Sequence, residues 1–125
     1  MKRLLIFILL LISFMSVEGK TFTFITDNYE WRMGNQNWID NNGQKPSAII
    51  DFDMSKRIII VTQPIGLVFH YTTKVVNVVH GIKTFVLNAY NKYLGTYHIV
   101  IYKMGDDMFF VFYGKVDVLY DIDIS

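Results

Sequence analysis

The chain contains no cysteine in its 125 residues, which excludes disulfides, thiolate nucleophiles, cysteine-rich metal sites and lipid attachment at an N-terminal cysteine. It also lacks any block of like charge. Past the first nineteen residues serine occurs only as Ser47, Ser55 and Ser125, and none lies in a Gly-x-Ser-x-Gly elbow. Gly34, Gly43, Gly66, Gly81, Gly95, Gly105 and Gly114 stand singly, so no glycine-rich loop cradles a phosphate. The three histidines, His70, His80 and His98, have no two-apart spacing that would put a pair on one face of a strand. They read as satisfied or surface histidines, and no metal or other cofactor is expected.

At the start, Lys2 and Arg3 precede an apolar run from Leu4 to Ile12 that continues with small interruptions to Val17, and the chain turns polar at Glu18. A basic start, a short apolar middle and a small residue at a cleavage point after Gly19 are the marks of a secretory signal peptide. The run is short for a membrane span, which needs about 20 apolar residues. Residues 1–19 are therefore expected to be a signal peptide, with 20–125 as a single exported domain, periplasmic or secreted and without stable membrane insertion after cleavage. Removing Lys2, Arg3 and Glu18 from 12 basic and 11 acidic residues leaves ten of each. A neutral chain with scattered charge has no basic footprint for nucleic acid or an anionic membrane.

What the chain does contain is strand signal. Thr96 to Ile124 reads TYHIVIYK, MGDD, MFFVFYG, KVDVLYDIDI: three runs of strand length joined by turns too short for anything but antiparallel neighbours. In the last run Val116, Val118, Tyr120, Ile122 and Ile124 alternate with Asp117, Leu119, Asp121 and Asp123, the pattern of one dry and one wet face. Upstream, KTFTFIT reads as a first strand, Ala48, Ile50 and Phe52 make a dry face opposite Asp51 and Asp53, and Arg57 to Val61 is apolar on both sides. Pro64 to Gly66 makes a turn. Leu67, Phe69 and Tyr71 form the next dry face, Val75 to Val79 follows after a tight reversal, His80 and Gly81 turn the chain, and Ile82 to Tyr90 runs back. The expected fold is all-β, an antiparallel meander of about eight to nine strands, small and barrel-like, with a two-sheet sandwich as the alternative.

Asp27 to Pro46 breaks this rhythm. It is rich in Asn, Gln, Gly and Asp, with Trp31 and Trp38 set in it, and a short helix or strand around Tyr29 to Met33 is the element such a loop could hide. Tyr29, Trp31, Arg32, Asn37 and Trp38 are the candidate ligand-binding residues, because flat rings among amide donors and acceptors suit recognition of a small molecule, a glycan or a protein. The competing reading is that the indoles plug one end of the core. Asp51, Asp53, Asp117, Asp121 and Asp123 would crowd one patch if the barrel brought the first and last alternating runs together. Such a patch could bind calcium, yet strand aspartates facing water more often solvate and protect edges.

The Trp-x6-Trp loop, the IIDFDMSKRIIIV hairpin and the LNAYNKYLGTYHIVIY hairpin together resemble small exported bacterial β-meander proteins of unassigned function, similar in architecture to calycin-type barrels. The Gly-x-Trp signature that marks lipocalins near the first strand is missing, and the resemblance carries no functional residue onto this chain. The expected function is a non-enzymatic, barrel-like binding or interaction protein. The alternatives are a structural or assembly subunit pairing through strand edges and, third, an enzyme using a carboxylate pair.

Overall fold

In a computed structural model the described residues are 21–40 and 47–124; the expected signal peptide lies outside them. Branched and aromatic residues alternating with polar ones set up ten strands: β1 (Thr21–Thr26), β2 (Asn28–Met33), β3 (Ile39–Asp40), β4 (Ala48–Asp53), β5 (Ile58–Val61), β6 (Leu67–Val79), β7 (Ile82–Asn91), β8 (Gly95–Met104), β9 (Asp107–Tyr113) and β10 (Val116–Asp123). All belong to one sheet, in the order β1-β4-β5-β6-β7-β8-β9-β10-β2-β3, and every pairing is antiparallel. This is the barrel-like meander that the alternation predicts.

Closure depends on the first two strands. They follow one another with a single bend at Asp27, yet β1 pairs with β4 while β2 pairs with β10. One stretch of chain thus grips both ends of the meander, removing most of the free edge that an open sheet would expose. At the seam the Thr26 hydroxyl donates to the Asp121 carbonyl and accepts from the Asn28 N–H at 3.0 Å.

The inner face is filled by side chains. Ala48, Ile50 and Phe52 of β4 meet Val118, Tyr120, Ile122 and Ile124 from the far end of the chain in one cluster. Phe110 lies 5.3 Å from Phe24 and 6.4 Å from Phe52, and Phe112 lies 5.0 Å from Phe69 and 5.5 Å from Tyr120, measured between ring centroids. Tilted and edge-to-face ring pairs of this kind add to the burial of large apolar areas. Two tyrosine hydroxyls that reach the interior are tied to backbone: the Tyr120 hydroxyl donates to the Gln63 carbonyl. The Tyr97 hydroxyl donates to the Val116 carbonyl at 2.6 Å and accepts from its N–H at 3.0 Å.

The element that Asp27 to Pro46 could hide is a strand, β2, which forms a hairpin with the two-residue β3. One sequence expectation is corrected. The run from Leu67 to Val79 is one 13-residue strand, with no reversal between Tyr71 and Val75. A bulge between Tyr71 and Thr73 shifts the register against β7, so the inward positions change from Phe69 and Tyr71 to Lys74 and Val76, which lie opposite Leu87 and Phe85. The turn at His80 and Gly81 is as expected, with φ of 51° and 77° at the two central residues, the geometry of a tight hairpin.

Candidate functional site

The five residues singled out in the sequence divide between two faces. Tyr29 is 4% exposed and lies in the core, its ring 5.9 Å from Tyr120. Trp31, opposite Val118 and Ile39 in the ladder, is half-buried and packs against the same core. Arg32 turns outward, where its Nε donates to Asp117 Oδ2 at 3.0 Å and its guanidinium stands 4.2 Å from the centre of the Trp38 ring. Asn37 is exposed. For Tyr29, Trp31 and Arg32 the alternation of β2 sets this division, since neighbours along a strand point to opposite faces. Of the five, Arg32 and Trp38 touch each other; the rest of the expected loop surface, from Asn41 to Lys45, lies outside the described residues.

The carboxylates are also arranged differently from the expected patch, because β4 pairs with β1 and β5 while β10 pairs with β9 and β2, so the two alternating strands are not ladder neighbours. Asp51 accepts a hydrogen bond from Thr23 at 2.7 Å, Asp53 accepts the Lys56 N–H at 3.0 Å, and Asp117 pairs with Arg32 and accepts the Gly114 N–H at 2.9 Å. Asp121 and Asp123 instead join Asp27 and Asp107, with Thr26 and Asn28, around a depression of about 290 Å³ at the bend between β1 and β2. Among the described residues no group of three or more His, Asp or Glu is arranged to hold a metal ion. Burial, the charge of Asp107, a side-chain hydrogen bond with it, and the charges of Asp123 and Glu30 push the Asp121 carboxyl up to about 6 from an ordinary 3.8.

The folded protein therefore holds the Asp121 proton more tightly than the unfolded chain. That contribution to stability is complete below pH 3.8 and is lost as the pH rises through about 6. Asp121→Asn is expected to raise the thermal midpoint at pH 7 and to flatten its decline between pH 4 and 7. Parallel melts of the two proteins across that range check this, and identical slopes would refute it.

A third feature was not singled out from the sequence. The 13-residue β6 is paired on one side by the four-residue β5, and only through Leu67 to His70. The Tyr71 N–H still donates to the Arg57 carbonyl at 3.0 Å. Beyond it no strand among the described residues pairs with this flank, and the β6–β7 hairpin projects past the β4–β5 turn. Val75, Val76 and Val78 on it are 48%, 43% and 69% exposed. The available signal was KVVNVV, a branched run with one charge and no dry face of its own.

The outer face beside the hairpin is apolar too. Val75, Val86, Val100, Val111 and Leu119 stand opposite one another in a row across β6 to β10. Val111, the fourth of the five, is 1% exposed although its strand neighbours Phe110 and Phe112 point inward. Next to the row a groove of about 390 Å³ is lined by His80, Ile82, Thr84, Val100, Tyr102 and Met104. Tyr102 stacks on Phe109 at 5.1 Å, which braces one wall.

No known protein family matches the chain, no curated protein resembles it, and no solved structure matches its fold. The class is therefore defined by the geometry alone: a nearly closed, all-β meander barrel with a filled interior and one projecting hairpin. No helix among the described residues is long and apolar enough to cross a membrane.

Proposed function

We propose that this is an exported, non-enzymatic interaction protein that recognises its partner with its outer surface and does not carry a ligand inside the barrel. The observation that carries this reading is the filling of the interior. Phe52, Phe69, Phe85, Phe110, Phe112 and Tyr120 are each at most 1% exposed and reach across the barrel from opposite strands. Barrels that carry small molecules keep a lined cavity at their centre, whereas here ring contacts occupy that position. Exposed apolar surface is found outside, on the projecting hairpin, where Val75, Val76 and Val78 are exposed.

The test is a titration with an apolar probe, cis-parinaric acid, followed by fluorescence and by methyl resonances. The expected result is no saturable uptake that shifts the inward methyls of Leu87, Ile99 and Ile101. One-to-one binding that moves those three resonances would place a ligand in the barrel and overturn the reading.

A further inference from the structure

A second cavity on the outside of the barrel lies where the turn into β6 and the turn out of β7 stand side by side. Its volume is about 240 Å³, and its lining includes Leu67, Val68, His70, Asn91, Lys92 and Tyr93. Asn91 sets its shape. That residue is 2% exposed and is engaged at both ends of its amide: Nδ2 donates to the Val68 carbonyl at 2.9 Å, and Oδ1 accepts the N–H groups of Tyr93 and Leu94, both at 2.8 Å. The β7–β8 turn is thereby tied to β6, and Lys92 and Tyr93 complete a cavity that Val68 and His70 begin.

The charge in this cavity has one sign. Lys92 and His70 line it, and no carboxylate does. The Lys92 ammonium stands 5.5 Å from the centre of the Tyr93 ring, a cation–π contact that leaves it open to an anion. His70 offers an imidazole N–H in any protonation state. The carboxylates that share its ladder rows, Asp51 and Asp53, are two strands away on β4, where they accept hydrogen bonds from the Thr23 hydroxyl and the Lys56 N–H. The rest of the lining is apolar or flat, with Leu67 and Val68 as one wall and the Tyr93 ring at the rim.

We infer that this cavity binds a small organic anion, a carboxylate carried on a flat apolar body, with the carboxylate at Lys92 and His70 and the body against Val68 and the Tyr93 ring. The inference rests on the outer-surface reading and names a ligand class for that surface. Three observations select the class. The cavity is smaller than the roughly 300–1,000 Å³ of sites for drug-sized ligands, which suits a single ring. The Asn91 amide is occupied by backbone partners, so it has little to offer the hydroxyls of a sugar. The N–H groups of Tyr93 and Leu94 already donate to Asn91, so the turn presents no nest of free backbone donors of the kind that cradles a phosphate.

The test is an NMR titration of the purified protein with 3-phenylpropanoate, its neutral amide 3-phenylpropanamide, and glucuronate, which keeps the carboxylate on a polar body. The acid is expected to shift the Val68 methyls and the backbone amides of His70, Lys92 and Tyr93 saturably, with a dissociation constant of about 1 mM or tighter. The amide and glucuronate are each expected to bind at least roughly fivefold more weakly, because charge-assisted hydrogen bonds and apolar contact both contribute. Lys92→Gln, at an exposed position, is expected to weaken the acid by roughly fivefold to tenfold and to leave the amide unchanged. No saturable shift at these residues up to about 20 mM acid, equal affinity for the acid and either comparison compound, or an acid affinity indifferent to Lys92→Gln overturns the inference. The inward methyls of Leu87, Ile99 and Ile101 keep the two ideas apart. If neither set of resonances moves, the anion site is lost and the outer-surface reading stands, whereas saturable movement of the inward set removes that reading and the site with it.

Discussion

Phe110→Ala is expected to lower stability by roughly 3–5 kcal/mol, the cost of deleting a buried aromatic ring whose site cannot fully collapse. Phe110 is fully buried, and its ring spans from β9 to Phe24 on β1 and Phe52 on β4. Those two strands are joined to β9 through the long way round the sheet and the seam, so the missing ring leaves a void that no single strand can fill by a local shift. Since a domain of this size has only about 5–15 kcal/mol in total, the variant is expected to populate the unfolded state measurably at 37 °C. Urea unfolding followed by Trp fluorescence checks it. A midpoint within error of wild type would mean that the barrel collapses around the void more easily than ring packing allows.

The second large effect is expected at Gly114, in the turn between β9 and β10. A Cβ built there falls 2.5 Å from both Cε1 and Cζ of Tyr97. The ring has little room to retreat, because Phe69 packs edge-on to it at 4.9 Å and its hydroxyl is held by both backbone groups of Val116. Gly114→Ala is therefore expected to cost about 3 kcal/mol, the upper part of the range for overpacking a filled site. The test lies in non-additivity. Tyr97→Leu removes the ring atoms that the methyl would strike, so Gly114→Ala should cost far less in that background, with a coupling of about 1–3 kcal/mol. Independent, additive losses would show that the turn, and not the ring, rejects the methyl.

How much of this could be read in advance depends on which residues alternate undisturbed. In β4 and β10 the dry and wet sets of the sequence are the inward and outward sets of the barrel, because both strands are unbulged and bounded by clear turns. In β6 the same method fails: one extra residue near Thr72 transfers the inward role from Phe69 and Tyr71 to Lys74 and Val76, so a continuous strand reads as two. In β2 only Tyr29 and Trp31 mark the dry face, too few alternations to stand out against the amide-rich stretch that follows. The placing of Tyr29 and Trp31 toward the core and of Arg32 on the surface follows directly from that strand, whereas Asn37 and Trp38 lie beyond it. The aspartates illustrate a further limit, since a sequence shows which strands are acidic but not which strands are neighbours. β4 and β10 are not ladder neighbours, which keeps Asp51 and Asp53 apart from Asp121 and Asp123.

The stretch of chain that straddles the seam has a consequence for the order of events in folding. Thr26 meets Asp121 across 95 residues of sequence, and β2 has no ladder on its β10 side until the last strand arrives. The earliest part of the domain to be synthesised must therefore wait for the latest, with the loop-closure entropy of nearly the whole chain opposing the step. The hairpins from β4 to β10 can zip locally beforehand, but the closed barrel is a late and cooperative event. A chain of this design stays open from its first strand to its last, the condition in which a polypeptide can still be threaded across a membrane before it locks.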